Sequence, residues 1–134
     1  MNLTREQILN EPAGRQMDAW IAEYVMGWKI TVYSDGHIAF EDGSPYGRHE
    51  VHFKPSTNIA VAWEVVEKFA HRAINKTAAE MGFSAFGLTA YPSGGWECRI
   101  GGLKDSPVEK TVPLAICRAA LLAVMEGVQA CISY

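Results

Sequence analysis

The stretch from Val112 to Met125, VPLAICRAALLAVM, is almost wholly apolar and contains one charged residue, Arg118. Its length and composition predict a buried helix, with Pro113 in the first turn, where proline is tolerated. A guanidinium stays protonated and is costly to bury alone, so Arg118 snorkels to solvent, meets a protein carboxylate, or faces an anionic ligand. The partner that it meets decides between a structural and a functional role.

The composition of the chain indicates one domain, residues 1–134, since 49% of the residues are hydrophobic and can form an adequate core. The formal charge of −3 argues against binding along DNA or RNA, but it leaves room for a small phosphorylated ligand. The N-terminus lacks a secretory pattern, and the apolar stretch is shorter than the about 20 residues that span a bilayer. The three cysteines have no metal-ligand spacing, which indicates reduced thiols in the cytoplasm.

Helical and extended patterns follow one another along the chain. The first half of the chain predicts a helix capped by Thr4 and Gln7, a helix over 15–26 closed by Gly27, and a hairpin of 28–33 with 37–40. A surface loop over 41–58 and a long helix from Ile59 to Gly82 are predicted next. The remaining predicted elements are a hairpin of 83–91 with 96–100, a short strand near 109–112, and the buried helix. This order predicts an α+β layered domain with an antiparallel sheet.

Candidate anion-binding residues come from three segments. The Ser56-Thr57-Asn58 turn precedes the long helix, where its side chains can cap free N–H groups and where the helix dipole and Lys54 also favour a phosphate. Arg99 on the second hairpin and Arg118 offer guanidinium donors of the kind that phosphate oxygens favour. The rings on which a base could stack, each also explained by core packing, are Phe86, Tyr91 and Trp96.

Signals for catalysis are weak, because the chain has no phosphate loop, dinucleotide fingerprint, zinc spacing or nucleophile elbow. His37, His49 and His52 lie within sixteen residues and near several carboxylates, so a metal site can be imagined from nitrogen and oxygen ligands. The spacing matches no established pattern, and an ordinary polar loop is the simpler explanation. The sequence therefore predicts no enzyme, no metal and no cofactor.

Two stretches, PSTNIAVAWEVVEK at residues 55–68 and AICRAALLA at 115–123, resemble the phage ABA sandwich domain family. The segments TREQIL at 4–9 and GRQMDAWIAEYVMGW at 14–28 look like the opening of the same pattern. The likeness spans most of the chain apart from residues 29–54. It implies a sheet sandwiched between helical layers, an α/β/α sandwich.

The resemblance also implies a function. Proteins that this chain resembles include phage Thoeris anti-defence sponges, which bind and sequester cyclic ADP-ribose isomers or cyclic oligonucleotides without cleaving them. It implies a homo-oligomer whose partner is a small cyclic nucleotide. The charge, the short apolar stretch and the cysteines described above predict a protein of the host cytoplasm that binds no long nucleic acid and no membrane. Arg118 and the Ser56-Thr57-Asn58 turn are the matching positions expected to hold the ligand, while no motif supports Arg99.

Two other classes of protein remain open at this point. A phage accessory protein that acts through protein–protein contacts would show an exposed apolar patch and no convergent arginines. A nucleotide phosphohydrolase would need a general base or a metal, for which the three neighbouring histidines are the candidates.

Overall fold

The computed structural model describes residues 2–74, 86–100 and 106–125. Its elements in chain order are α1 (Arg5–Asn10), α2 (Arg15–Trp20), a π-helix that continues α2 (Ile21–Val25), β1 (Lys29–Val32), β2 (Ile38–Glu41), β3 (Arg48–His49), a 3-10 helix (Glu50–His52), α3 (Ile59–Ile74), β4 (Phe86–Ala90), β5 (Trp96–Ile100), β6 (Val108–Glu109) and α4 (Val112–Met125). The predicted α+β class is confirmed. Within the described ranges, every helix is too short or too polar to cross a bilayer.

The first two helices begin and end close to the predicted residues. The Gln7 N–H donates to Thr4 Oγ1 at 3.1 Å and the Thr4 N–H donates to Gln7 Oε1 at 2.9 Å, which confirms the capping box. α2 and the π-helix together cover most of residues 15–26. Gly27 follows them with φ of 77°, a left-handed conformation that glycine adopts without strain.

Both predicted hairpins are confirmed, and each recruits a third strand from the segment that follows it. β1, β2 and β3 form one antiparallel sheet, and β4, β5 and β6 form another. The described strands thus make two three-stranded sheets where the sequence predicted one, because no β-ladder joins the two sets. The predicted end of the long helix and residues 83–85 of the second hairpin lie outside the described residues.

Residues 41–58 are not the surface loop that the sequence predicts. The segment contains β3 and the 3-10 helix, and Phe53 is fully buried. The ring of Phe53 packs against Trp28 and Phe40, with centroids 4.9 and 5.6 Å apart. A cluster of three aromatic rings therefore fixes the segment to the first sheet, an effect of tertiary packing that the local glycines and prolines do not reveal.

Helix α4 lies at the centre of the hydrophobic core. Nine successive residues, from Ala115 to Ala123, are buried. The helix packs against α3, β5, the π-helix and α1, so apolar side chains are needed around its whole circumference. The predicted buried helix is confirmed, and Cys117 is a small core residue within it, as expected.

Candidate functional site

Arg118 finds its partners inside its own chain. Its Nη1 donates to Oε1 of Glu109 on β6, and its Nη2 donates to the backbone oxygen of Glu11, at the end of α1, at 2.6 Å. Only 9% of Arg118 is exposed, and the Glu109 side chain is 10% exposed. Of the three partners that the sequence left open, the structure supplies a protein carboxylate.

The register of β6 explains this ion pair. Glu109 stands opposite Trp96 on β5, and opposite residues of an antiparallel pair project from the same face of the sheet. Cys98 shares that face and is buried against the core, so the Glu109 carboxylate is directed towards α4. Among the described residues, the Nε of Arg118 is buried without a hydrogen-bond partner.

Arg99 lies on the other face of the second sheet. Its neighbours Cys98 and Ile100 are buried, so alternation along β5 directs Arg99 away from α4. The Arg99 side chain is 65% exposed, and its Nε lies 3.6 Å from Oε2 of Glu97. The structure therefore does not bring Arg99 and Arg118 together.

Ser56 is a buried link between two segments. Its backbone N–H donates to Oδ1 of Asp18 at 2.8 Å, and its Oγ accepts a hydrogen bond from the Gly14 N–H at 2.9 Å. Only 1% of Ser56 is exposed. The polar groups of Ser56 are thus occupied by the start of α2 and the loop before it.

Asn58 and Thr57 have different environments although they are adjacent. Asn58 caps α3, since its Oδ1 accepts from the N–H groups of Ala60 and Val61 at 2.9 and 3.3 Å. This is the structural role that the sequence allowed for the turn. Thr57 is exposed and borders a pocket.

The three rings considered for base stacking are engaged elsewhere. Phe86 packs edge-on against Trp63 at 5.4 Å, and the hydroxyl of Tyr91 donates to Glu97. Trp96 is half-buried against the core. These rings do not line the pocket that Thr57 borders.

The clustered histidines take part in a hydrogen-bonded turn. Nδ1 of His37 lies 2.7 Å from Oδ2 of Asp35, and the His37 ring is 5.1 Å from that of His49. Nδ1 of His49 accepts the Val51 N–H at 3.1 Å, so this nitrogen is not free to bind a metal. Across the described ranges, no group of three or more His, Cys, Asp or Glu can hold a metal ion.

A pocket of about 320 Å³ lies between α2, the first hairpin and the segment before α3. Small-molecule sites commonly measure about 300–1,000 Å³ and combine apolar walls with a few polar groups. The residues that line it are Ile38, Phe40 and Phe53 in the apolar interior, Gly14, Arg15, Lys54 and Thr57 around the opening, and the carboxylates of Asp18 and Glu50. The volume of the pocket is therefore at the lower end of the range for small-molecule sites.

Arg15 is held at the pocket by Glu50. Its Nε and Nη2 donate to the two carboxylate oxygens at 2.7 and 3.0 Å, and Nη2 also donates to the backbone oxygen of Gly36. Glu50 additionally accepts the Ile38 N–H at 2.5 Å. The hydrogen bond from Arg15 is the largest cause that lowers the pKa of Glu50, so this carboxylate stays ionised and keeps the guanidinium in place.

Asp18 is the buried carboxylate of the pocket, with 6% of the residue exposed. Burial raises its pKa, while hydrogen bonds from Ser56 and the charge of Lys54 act in the opposite direction. Asp18 is not among the site residues predicted from the sequence. Helical periodicity was an available signal, because residues 18, 22 and 25 share one face and Ala22 and Val25 are core residues.

The chain folds as a small α+β domain of the sandwich type, in which helices and antiparallel sheets enclose one apolar helix. Residues 19–121 match the family model of the phage ABA sandwich domain. The chain therefore belongs to the phage ABA sandwich domain family, as its sequence resemblance indicated. No curated protein and no solved structure matches the chain.

Proposed function

We propose that this phage protein binds and sequesters a cyclic nucleotide immune signal, a cyclic ADP-ribose isomer or a cyclic oligonucleotide, without cleaving it. The ligand enters the pocket bordered by Arg15, Lys54 and Thr57. The observation that carries the proposal is a pocket whose opening holds Lys54, the Thr57 hydroxyl and the Glu50-paired Arg15, and whose interior is largely apolar. These two surfaces suit the phosphate and the base of one nucleotide.

The two cations at the opening, Arg15 and Lys54, differ because only Arg15 is paired with a carboxylate. Glu50 neutralises Arg15 and occupies its Nε and Nη2, while no hydrogen bond within the described residues occupies Nη1. Nη1 is thus available to a phosphate oxygen. Lys54 is exposed and forms no ion pair in the described chain, so it supplies the mobile positive charge that a phosphate needs.

The proposed ligand site is the pocket and not the surroundings of the buried Arg118. Of the five ligand-binding residues predicted from the sequence, Thr57 lines the pocket, and Lys54, considered with it, does so too. Binding roles for Arg118, Arg99, Ser56 and Asn58 stay predictions, and each of these residues has a partner within the chain.

We expect the ligand to be bound and not cleaved because of the residues found around the pocket. His37 and His49 do not line the pocket, so neither is placed to act as a general base on a ligand there. The pocket carboxylates are held by Arg15 and Ser56. We further expect a homo-oligomer, as the family resemblance implies, and a location in the host cytoplasm. Sedimentation of the purified protein tests the oligomeric state.

Calorimetry of the full chain with cyclic ADP-ribose isomers and cyclic dinucleotides tests the proposal. Lys54→Ala should weaken binding about tenfold or more, because a hydrogen bond to a charged group is lost. Lys29→Ala is the matched control, since Lys29 is exposed on β1 and lies outside the pocket. Intact ligand should be recovered after heating.

Three results would contradict the proposal. If none of the cyclic nucleotides binds, the proposed function is wrong. Equal weakening by both lysine variants would move the site elsewhere. Recovery of a hydrolysed ligand would make the protein a phosphohydrolase.

A second candidate, a phage accessory protein that acts through protein–protein contacts, is favoured by one observation. Residues 32–51 contain four large side chains that are at least half exposed, Val32, Tyr33, Tyr46 and Val51. Tyr46, at 96% exposure, contributes least to the fold. Tyr46→Ser should abolish capture of a protein partner if this candidate is correct, and it should leave nucleotide binding unchanged if the first proposal is correct.

A further inference from the structure

The Asp18 carboxylate belongs to the most buried charged residue of the pocket. It is 6% exposed, and its hydrogen bonds within the described chain come from Ser56. No cation of the described residues lies in ion-pair contact with it. Burial of a carboxylate is unfavourable unless hydrogen-bond donors or a cation replace the water that solvates it. A hydrogen-bond donor from a ligand would therefore compensate for the desolvation of Asp18.

We infer that Asp18 binds the N–H edge of a guanine base, so that the ligand of this pocket is a guanine-containing cyclic oligonucleotide. This inference rests on the proposed function and narrows it. Asp18 is positioned for such a role because the Ser56 N–H fixes Oδ1 at 2.8 Å and Ser56 itself is anchored by the Gly14 N–H.

The chemistry of the bases explains the choice of guanine. An ionised carboxylate only accepts hydrogen bonds, and two adjacent donors satisfy its two oxygens best. Guanine presents N1–H and the 2-amino group side by side. Adenine and cytosine each place a ring-nitrogen lone pair beside their amino group, and uracil has a single N–H between two carbonyl oxygens.

The remaining pocket residues match the other parts of such a nucleotide. In the interior of the pocket, beyond the charged opening, Ile38 is partly exposed and supplies apolar surface for a base, while Phe40 and Phe53 are buried in the pocket wall. Lys54 and Arg15 stand at the opening, where a phosphate would lie. Lys54 and Ser56 belong to one short segment, so the same stretch of chain fixes both the cationic opening and the Asp18 carboxylate.

Calorimetry with three cyclic dinucleotides tests the inference on the wild-type protein. The probes are cyclic di-GMP, its inosine analogue, which lacks only the 2-amino groups, and cyclic di-AMP. We expect cyclic di-GMP to bind at least about tenfold more tightly than either of the other probes, because both of those lose a charge-assisted hydrogen bond. This comparison needs no variant and is independent of effects on folding.

Asp18→Asn supplies the second arm of the experiment. Asparagine keeps an oxygen for the Ser56 N–H but replaces the other carboxylate oxygen with a donor, so the preference for cyclic di-GMP should disappear. Glu23→Gln is the matched control, because Glu23 is an exposed acid on the π-helix that continues α2, and it should keep the preference.

The outcomes separate this inference from the proposed function. Equal affinity for all three dinucleotides, or a preference that persists in Asp18→Asn, overturns the role of Asp18 and leaves nucleotide binding intact. Tight binding of cyclic ADP-ribose isomers without binding of cyclic di-GMP also overturns the guanine assignment. Absence of binding by every probe overturns the inference together with the proposed function.

Discussion

Removal of the charge of Glu109 should lower the melting temperature of the protein strongly. Glu109→Gln preserves the shape of the side chain but leaves the Arg118 guanidinium, 9% exposed, without its carboxylate. Nη2 would still donate to Glu11, while Nε has no partner among the described residues to compensate. The buried positive charge would therefore remain largely unneutralised.

The size of the effect follows from the burial of both partners. Loss of one member of a buried ion pair costs about 3–5 kcal/mol. Because the amide oxygen of glutamine can still accept from Nη1, we expect a loss of about 3 kcal/mol, at the lower bound of that range. Such a loss is a large part of the about 5–15 kcal/mol that stabilises a typical domain, and it corresponds to roughly 10 °C in melting temperature for a chain of this size.

Thermal and urea denaturation of four proteins measure this effect: the wild type, Glu109→Gln, Arg118→Met, and the double variant. The double variant should be more stable than the sum of the single losses indicates, because it removes both buried charges together. Arg99→Met is the control for an arginine whose ion pair is exposed, and it should change the free energy of unfolding by at most about 1 kcal/mol.

One pattern of results would refute this reasoning. If Glu109→Gln and Arg118→Met melt within about 2 °C of the wild type, the pair is not a buried structural ion pair in solution. If Arg118→Met additionally abolishes nucleotide binding, the arginine serves a ligand, as the family resemblance implied.

Further predictions concern the thiols, the pocket and the cap of α3. Burial raises the pKa of Cys98 to about 12 and that of Cys117 well above its usual range, so iodoacetamide should label neither in the native protein and both after denaturation, as read by peptide mass spectrometry. Glu50→Gln should lower the melting temperature at neutral pH, because the pKa of Glu50 is lowered in the folded state and its ionised form stabilises the fold. The difference should shrink as the pH falls below the ordinary Glu50 pKa of 4.5, and it should vanish once the pH has passed below the lowered folded-state pKa. A difference that persists there would contradict this. Asn58→Ala should cost about 1 kcal/mol in urea denaturation, since two N–H groups lose their acceptor, whereas an unchanged midpoint would show that the cap is dispensable.

Local chemistry made much of the fold predictable. The capping box of Thr4 and Gln7, the left-handed Gly27, the two hairpins and the apolar helix α4 all follow from residues that are close in sequence. The surface loop predicted over residues 41–58 is wrong because Phe53 packs against Phe40 of the first hairpin and against Trp28 just before it. No local pattern shows these contacts.

The candidate site was less predictable because its contacts join distant residues. Arg118 reaches Glu11 across 107 positions, and Asp18 reaches Ser56 across 38. Glu109 is only nine positions from Arg118, but its strand has only two residues. Two residues are too few for an alternating pattern to predict on which face of the sheet Glu109 lies. The choice among the partners open to Arg118 therefore required the packing of α4 against β6.

The position of α4 along the chain has a consequence for synthesis. Eight of its residues fill the hydrophobic core, and it is the last described element. A nascent chain that still holds residues 112–125 inside the ribosome lacks the surface on which α1, α3 and β5 rest, so those elements should stay accessible to chaperones and proteases until translation has passed that point. The first helix is then secured only when Arg118 emerges and reaches back to Glu11.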